Sequence, residues 1–263
     1  MNKTEEFLMQ YISEQNLTTE KFASILGIDF IDISRVIYEN DIDRACEMTF
    51  EYAGKVNDTI LYEQLRSFYK QWADKDFHLL IHKALESKDR TTRLMLNSIK
   101  RLILLADDME KIRPQMDGLK ILQLVIGVET LFTLTGYDEN KYKKYQLIPM
   151  FIEHCINEKD KEILNNMLSR DDSHLSIEVV SRLLSAIRNE LVHEGNFWQF
   201  HFPTENSMLI ALKFDESYEE YKDKSYYERV YSINITYIQF KNIIVKGYTE
   251  FIKKHARGEL NFT

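Results

Sequence analysis

The chain has 263 residues, enough for one large or two ordinary domains, and 44% of them are hydrophobic, whereas only 3 are proline and 8 are glycine. This composition predicts a compact, mostly α-helical protein. A net charge of -8 at pH 7 excludes a broad electrostatic contact with nucleic acid, so any RNA contact has to be local. The two cysteines, Cys46 and Cys155, lack metal spacing and cannot form a disulfide framework, which predicts a cytoplasmic protein.

Helical periodicity begins close to the N-terminus. Four apolar side chains predict an amphipathic helix over residues 4–14: Phe7, Leu8, Tyr11 and Ile12. Three glutamates interrupt this stretch and argue against a signal peptide: Glu5, Glu6 and Glu14.

The longest apolar stretch, residues 119–135, contains Gln123 and Glu129 and is too short and too polar for a membrane span. We therefore expect a core helix there and no contact with a membrane.

Residues 17–40 have the pattern of two short helices joined by a tight turn. Thr18 or Thr19 can cap the first helix, and Gly27 can form the turn. Two apolar side chains can anchor the second helix: Ile33 and Val36. This unit resembles the helix-turn-helix of phage-repressor-like proteins.

The charge of this unit disfavours DNA binding. Residues 1–45 carry nine carboxylates and four basic side chains, whereas phosphate contacts from basic side chains normally supply most of the affinity for DNA. The start of the second helix, where base-reading residues lie in such proteins, offers two carboxylates and two apolar groups: Asp29, Phe30, Ile31 and Asp32. A packing or partner-binding module is the preferred interpretation, with DNA binding and a chance match as alternatives.

Residues 43–112 continue the helical period without a proline and predict three or four helices, with breaks near residues 54–58 and 87–89. His78 and His82 lie four residues apart, as two metal ligands can, but no third ligand accompanies them, so no metal site is predicted. Proline and glycine in residues 113–118 predict a domain boundary. We therefore expect an N-terminal helical region, 1–112, and a second domain, 113–263.

The second domain begins with the core helix, which is expected to end near residue 135. Further helices are predicted over residues 147–157, 159–168 and 177–194. Short β-branched and aromatic stretches at 207–214 and 229–236 predict a small β-hairpin insertion before a final helix over 237–254. Aromatic residues near this hairpin can stack on bases or pack beneath it, and packing is preferred: Phe197, Trp198, Phe200 and Tyr226.

The helix at 177–194 ends with three side chains suited to phosphodiester chemistry: Arg188, Asn189 and His193. Histidine exchanges a proton near neutral pH, and arginine offers a rigid fork of donors to phosphate oxygens. Arg188 and His193 point about 140° apart on one helix, so a second subunit is the simplest way to bring both kinds of side chain together. The alternative is a solvated Arg188, with His193 capping the helix before Gly195.

The motif of residues 188–193, with its flanks from 183 to 195, resembles the Arg-x4-His signature of the HEPN superfamily, and in particular its ApeA-like branch. Residues 124–132 resemble the preceding helix of that branch, whose glutamate, here Glu129, lies close to the motif. The resemblance covers about residues 111–263. It implies a helical bundle that forms a homodimer through its motif helices and cleaves RNA without metal or cofactor. It also implies a prokaryotic defence or toxin–antitoxin setting, in which the partner is an antitoxin or another protein of the defence system.

Two features depart from that resemblance. In one HEPN branch a tyrosine two positions after the histidine is modified to silence the toxin, and Gly195 occupies that position here. Glu190 and Glu194 flank His193 and are expected to raise its proton affinity. Control by tyrosine modification is therefore not expected for this chain.

Glu129 lies in an otherwise apolar helix, where an unpaired carboxylate is costly, so we expect it to pair with Arg188 or another motif donor rather than to face solvent.

The motif and the resemblance lead to two hypotheses about function. In an endoribonuclease, His193 acts as general base or acid on the ribose 2′-hydroxyl, Arg188 stabilises the phosphate and Asn189 orients one of them. Alternatively, the chain is a non-catalytic scaffold that dimerises or binds RNA, or a helix-turn-helix regulator.

Overall fold

The structure is a computed structural model that describes residues 2–86, 89–114, 116–138, 141–170, 173–193, 200–203, 210–211 and 230–260. Within these ranges, eight residues are described by their backbone alone: Arg170, Ser173, Glu190, His193, Ile210, Ala211, Val230 and Tyr231. The described residues are mostly α-helical, as predicted. Their helices are α1 (Lys3–Glu14), α2 (Thr19–Leu26), α3 (Phe30–Tyr38), α4 (Ile42–Tyr69), α5 (Lys75–Glu86), α6 (Arg90–Ile112), α7 (Asp117–Leu134), α8 (Lys144–Cys155), α9 (Glu158–Asn165), α10 (Ile177–His193) and α11 (Tyr237–Ala256).

The chain divides into two compact units, Met1–Ser67 and Phe68–Thr263. The sequence pattern placed a boundary later, at residues 113–118, because proline and glycine interrupt the helical period there. That segment instead connects two packed helices, since α6 lies against α7 and Lys120 of α7 forms an ion pair with Glu110 of α6. Helices α5 and α6 therefore belong to the second unit, and the first unit is shorter than the predicted N-terminal region.

The first unit contains the two short helices predicted within residues 17–40. The Thr18 hydroxyl accepts a hydrogen bond from the Lys21 backbone N–H at 3.3 Å and caps α2. Gly27 has φ +74°, a left-handed conformation that glycine adopts without steric cost, and it forms the turn before α3. Ile33 and Val36 are buried, as predicted. The caps and the apolar positions thus account for the helix–turn–helix arrangement of these elements.

Helix α4 differs from the prediction because it runs over 28 residues without a break at residues 54–58. A glycine in a helix interior costs only about 1 kcal/mol, which the rest of a long helix tolerates. A Cβ built at Gly54 meets nothing within 4 Å. The helical period is interrupted instead at residues 70–74. Asp74, the last residue of this segment, accepts a hydrogen bond from the Phe77 N–H at 2.8 Å at the start of α5.

Helix α7 lies at the centre of the second unit and packs against α6, α8, α10 and α11. Its buried apolar residues include Leu124, Val128 and Phe132. Tyr248 of α11 is fully buried and donates its hydroxyl hydrogen bond to the Leu124 carbonyl oxygen. The apolar stretch identified in the sequence is therefore a core helix, and none of the helices within the described ranges is long and apolar enough to cross a membrane.

The described residues of the second unit include four short strands: β1 (Leu168–Arg170), β2 (Ser173–His174), β3 (Ile210–Ala211) and β4 (Val230–Ile233). They are joined by antiparallel pairing in the order β2-β1-β4-β3. The pairing of β3 with β4 confirms the predicted hairpin, although both strands are shorter than the stretches that suggested it. Strands β1 and β2 were not predicted, and β1 replaces the end of the helix expected over 159–168.

Substituting Gly127 with alanine (Gly127→Ala) is expected to destabilise the second unit. An added Cβ would lie 2.5 Å from the Tyr248 Oη and 3.3 Å from the Ile99 Cδ1, so α11 has to shift. Overpacking of this kind costs about 1–3 kcal/mol. The measurement is the free energy of unfolding in urea.

Gly54→Ala is the matched control, because Gly54 is also helical but has open space around it. Removal of a helical glycine there is expected to stabilise α4 by about 0.5–1 kcal/mol. The same sign of change in both variants would contradict the packing assigned to Gly127.

Candidate functional site

Helix α10 presents the motif at its C-terminal end. Its buried face is a stripe of apolar residues: Val180, Leu183, Leu184, Ile187 and Leu191. Arg188 follows Ile187 and lies at the edge of this stripe, where its side chain is 17% exposed. The apolar period of α10 therefore directs Arg188 along the surface of the bundle, towards the neighbouring helix α7, against which α10 packs.

Glu129 of α7 holds the Arg188 guanidinium through two hydrogen bonds. Arg188 Nε donates to Glu129 Oε1 at 2.9 Å, and Nη2 donates to Oε2 at 3.2 Å. The Glu129 side chain is only 20% exposed, so both partners are largely removed from water. This parallel geometry fixes the plane of the guanidinium as well as its position. The expected pairing of Glu129 with Arg188 is confirmed.

Asn189 lies next to Arg188 and is exposed. Its Oδ1 accepts a hydrogen bond from Arg188 Nη1 at 3.2 Å. A guanidinium has five N–H donors, and the contacts to Glu129 and Asn189 use three of them. Within the described part of the chain, the other two donors have no acceptor, so they can bind an external one such as a phosphate oxygen.

His193 is the final residue of α10, and its side chain lies outside the described residues. The same holds for the Glu190 side chain and for Glu194 and Gly195. The α10 backbone places the Cα atoms of Asn189 and His193 one turn apart on one face of the helix.

A second polar cluster, which the sequence did not reveal, lies at the N-terminal end of α7. Lys120 is 1% exposed, and its ammonium contacts the carboxylates of Glu110 and Asp117. It also donates to the Pro114 carbonyl oxygen at 3.1 Å and lies 4.3 Å from the centre of the Tyr237 ring. Two carboxylates and one carbonyl oxygen thus lie around the ammonium, which compensates for the burial of its charge.

Asp117 connects this cluster to the chain that follows the motif. Its Oδ2 accepts a hydrogen bond from the Phe202 backbone N–H at 2.7 Å and lies 3.8 Å from His201 Nδ1. Burial raises the pKa of the Tyr237 phenol, and nearby carboxylates raise it further: Asp107, Glu110 and Asp117. The Tyr237 hydroxyl is buried without a hydrogen-bond partner among the described residues. Helix α7 therefore contacts the chain on both sides of His193. Glu129 binds Arg188, which precedes the histidine, and Asp117 binds Phe202, which follows it.

The aromatic residues considered for base stacking are described only in part. Phe200 is 2% exposed, and its ring centre lies 5.0 Å from that of Phe202 in an edge-to-face arrangement. Phe200 is therefore a core residue, in agreement with the preferred interpretation. Phe197, Trp198 and Tyr226 lie outside the described residues.

The two histidines with the spacing of metal ligands, His78 and His82, lie on α5. His82 Nδ1 lies 3.1 Å from Glu86 Oε2 on the same helix. No group of three or more histidine, cysteine, aspartate or glutamate side chains that could hold a metal ion occurs within the described ranges. Both cysteines are free thiols, with Cys155 buried in α8 and Cys46 half-buried in α4.

No protein-family model, curated protein or solved structure matches this chain. Its function is therefore inferred from the chemistry of the motif and from the geometry around Arg188.

Proposed function

We propose that the chain is a metal-independent endoribonuclease of HEPN type that cleaves RNA to a 2′,3′-cyclic phosphate. The observation that carries this proposal is the guanidinium of Arg188, which two hydrogen bonds to Glu129 fix and which keeps two donors that no described residue uses. A donor fork that is positioned before the substrate arrives stabilises developing negative charge at little reorganisation cost. The proposed setting is prokaryotic defence or a toxin–antitoxin pair.

The reaction divides between the three motif residues. His193 accepts the proton of the ribose 2′-hydroxyl, and the resulting oxygen attacks the adjacent phosphorus. Arg188 donates hydrogen bonds to the phosphate oxygens, whose charge increases as phosphorus becomes pentacoordinate. The 5′-oxygen leaves with a proton from a histidine, and Asn189 keeps Arg188 oriented through its Oδ1. These steps require only side chains of the motif and the 2′-hydroxyl of RNA.

We further propose that two subunits meet through their motif helices. Positions five residues apart on an ideal α-helix, such as 188 and 193, lie about 140° apart around its axis, which favours a second subunit as the source of one of the two side chains. A closed dimer repeats one surface at opposed positions, so that Arg188 of one copy can face His193 of the other. The exposed side chain of Val192, between these residues, would lie in that interface. The chain carries a net charge of -8, so the RNA contact would be confined to this cleft.

The second candidate function is a non-catalytic scaffold that binds RNA or dimerises, or a helix-turn-helix regulator. The observation in its favour is the Glu129 carboxylate, which neutralises Arg188 and competes with a phosphate for it. Against regulation through DNA, the exposed start of α3 offers Asp32 and the apolar side chains of Phe30 and Ile31. In the scaffold, the ion pair only joins α7 to α10.

Incubation of the purified full chain with a structured RNA in EDTA distinguishes the two functions. We expect cleavage of the RNA and no cleavage of a DNA oligonucleotide of the same sequence, because only RNA has the attacking 2′-hydroxyl. Binding without cleavage, over a range of RNAs and with added divalent cations, would favour the scaffold. Cleavage of both RNA and DNA would contradict the proposed chemistry.

A further inference from the structure

The outer face of α6 carries a stripe with three exposed large apolar side chains that neither of the functions above uses. Leu94, Leu105 and Ile112 are 43%, 46% and 67% exposed. The opposite face of the helix is buried against the second unit, through Met95, Ile99 and Ile103 among others. Single exposed leucines are common on protein surfaces, but several aligned on one helix indicate a contact surface.

The stripe has the spacing of a coiled-coil seam. It comprises three apolar and three polar residues at alternating steps of four and three: Leu94, Ser98, Arg101, Leu105, Asp108 and Ile112. At 100° per residue, these six positions fall within an arc of about 80° and extend over about 27 Å. This spacing allows the face to pack lengthwise against one partner helix, with the apolar residues at its ends and near its centre.

We propose that this face of α6 binds the same face of α6 in a second copy of this chain, in antiparallel orientation. The stripe is symmetric in position about residue 103, since Leu94 and Ile112 lie nine residues to either side. A reversed copy therefore places Leu94 against Ile112 of the partner subunit at both ends of the contact. Arg101 and Leu105, each two residues from the centre, form the middle layers.

The charges of the stripe select the antiparallel orientation. Reversal places Asp108 of one copy opposite Ser98 of the other, one helical turn from Arg101, within reach of its guanidinium. A parallel pair would instead oppose arginine to arginine and aspartate to aspartate, which is unfavourable. Asp108 already contacts Lys111 at 3.1 Å, but both side chains are more than half exposed, and such a pair contributes little stability. It therefore does not prevent an interaction with Arg101 of a second copy.

This interface goes beyond the proposed function and is independent of it. It uses the outer face of α6, whereas the proposed motif dimer uses α10. A chain with both interfaces would form assemblies larger than a dimer. Loss of one contact would leave the other, so the two can be tested separately.

Disulfide trapping tests the α6 contact in the full chain, with Cys46→Ser and Cys155→Ala as the background. The two engineered positions, Leu94→Cys and Ile112→Cys, are about 27 Å apart within one helix, so a disulfide can form only between chains. With copper phenanthroline as oxidant, we expect the double variant to give a covalent dimer on a non-reducing gel. Each single variant should stay monomeric, because the same residue recurs about 27 Å away in an antiparallel partner.

A covalent dimer of either single variant would indicate a parallel contact and overturn the proposal. Absence of a dimer in the double variant would also overturn it. Ile238→Cys, a single thiol at a 64% exposed position of α11, measures the background of random collisions.

Charge exchange gives a second test on the same trapping background. Arg101→Asp alone and Asp108→Arg alone should each lower the dimer yield about threefold or more, and the two together should restore it. Val192→Arg on α10 should leave the yield unchanged. A yield that falls with Val192→Arg and ignores the charge exchange would assign the contact to the motif helices instead.

Discussion

Replacing His193 with alanine is expected to lower the rate of RNA cleavage by about 10²- to 10⁴-fold, the contribution of a positioned proton acceptor. The substitution removes an imidazole at the end of α10 and leaves the hydrogen bonds between Arg188 and Glu129 intact. The folded structure and RNA binding should therefore be retained. The measurement is the single-turnover rate on an end-labelled RNA in EDTA, with circular dichroism as a check on the fold.

His174→Ala is the matched control, because His174 is an exposed histidine on β2, away from the motif in sequence. Its rate of RNA cleavage should equal that of the wild-type chain. A His193→Ala chain that cleaves as fast as the wild type would remove histidine from the mechanism. Equal losses in both variants would point to a general effect of histidine replacement.

Replacing Asp117 with alanine is expected to destabilise the second unit by about 3–5 kcal/mol, which is the usual effect of removing one partner from a buried ion pair. Lys120 is 1% exposed and would keep its charge with only Glu110, whose side chain is 46% exposed, and the Pro114 carbonyl as acceptors. The Phe202 N–H would lose its acceptor as well. The free energy of unfolding in urea measures the effect.

Adding Lys120→Met to Asp117→Ala provides the control. The double variant has no buried ammonium, and a methionine of similar length packs in its place, so it should be more stable than Asp117→Ala alone. Amide hydrogen exchange at Phe202 should be faster in both variants, because both lack the carboxylate acceptor. If the double variant were the less stable of the two, the account of Lys120 as a paired buried charge would be wrong.

The sequence predicted those parts of the fold that depend on local periodicity. The ends of α7 and α11 follow directly from apolar spacing, and the Gly27 turn follows from a single residue type. Strand β1 could not be predicted, because its three residues gain their conformation from β4, more than 60 residues later in the chain. The uninterrupted α4 differs from the prediction for the opposite reason, since Gly54 weakens the helix only locally and a helix of 28 residues tolerates it.

The candidate site shows the same distinction between local and distant information. The pairing of Glu129 with Arg188 was predictable, because a carboxylate in an apolar helix requires a partner and the motif offers few donors. The contact of Asp117 with Phe202 was not, because the donor is a backbone N–H, which every residue except proline has. The buried Lys120 was detectable in principle, as a lysine three residues after an aspartate within an apolar stretch.

The proposed chemistry is tested most directly by the 3′ ends of the RNA products formed in EDTA. Attack by the 2′-oxygen leaves a 2′,3′-cyclic phosphate, and the account predicts this end on the upstream fragment and a free 5′-hydroxyl on the downstream fragment. A single 2′-deoxy substitution at the cleaved nucleotide should abolish cleavage at that position while neighbouring sites remain sensitive. A product with a 3′-hydroxyl and a 5′-phosphate, or unchanged cleavage at the 2′-deoxy position, would contradict it.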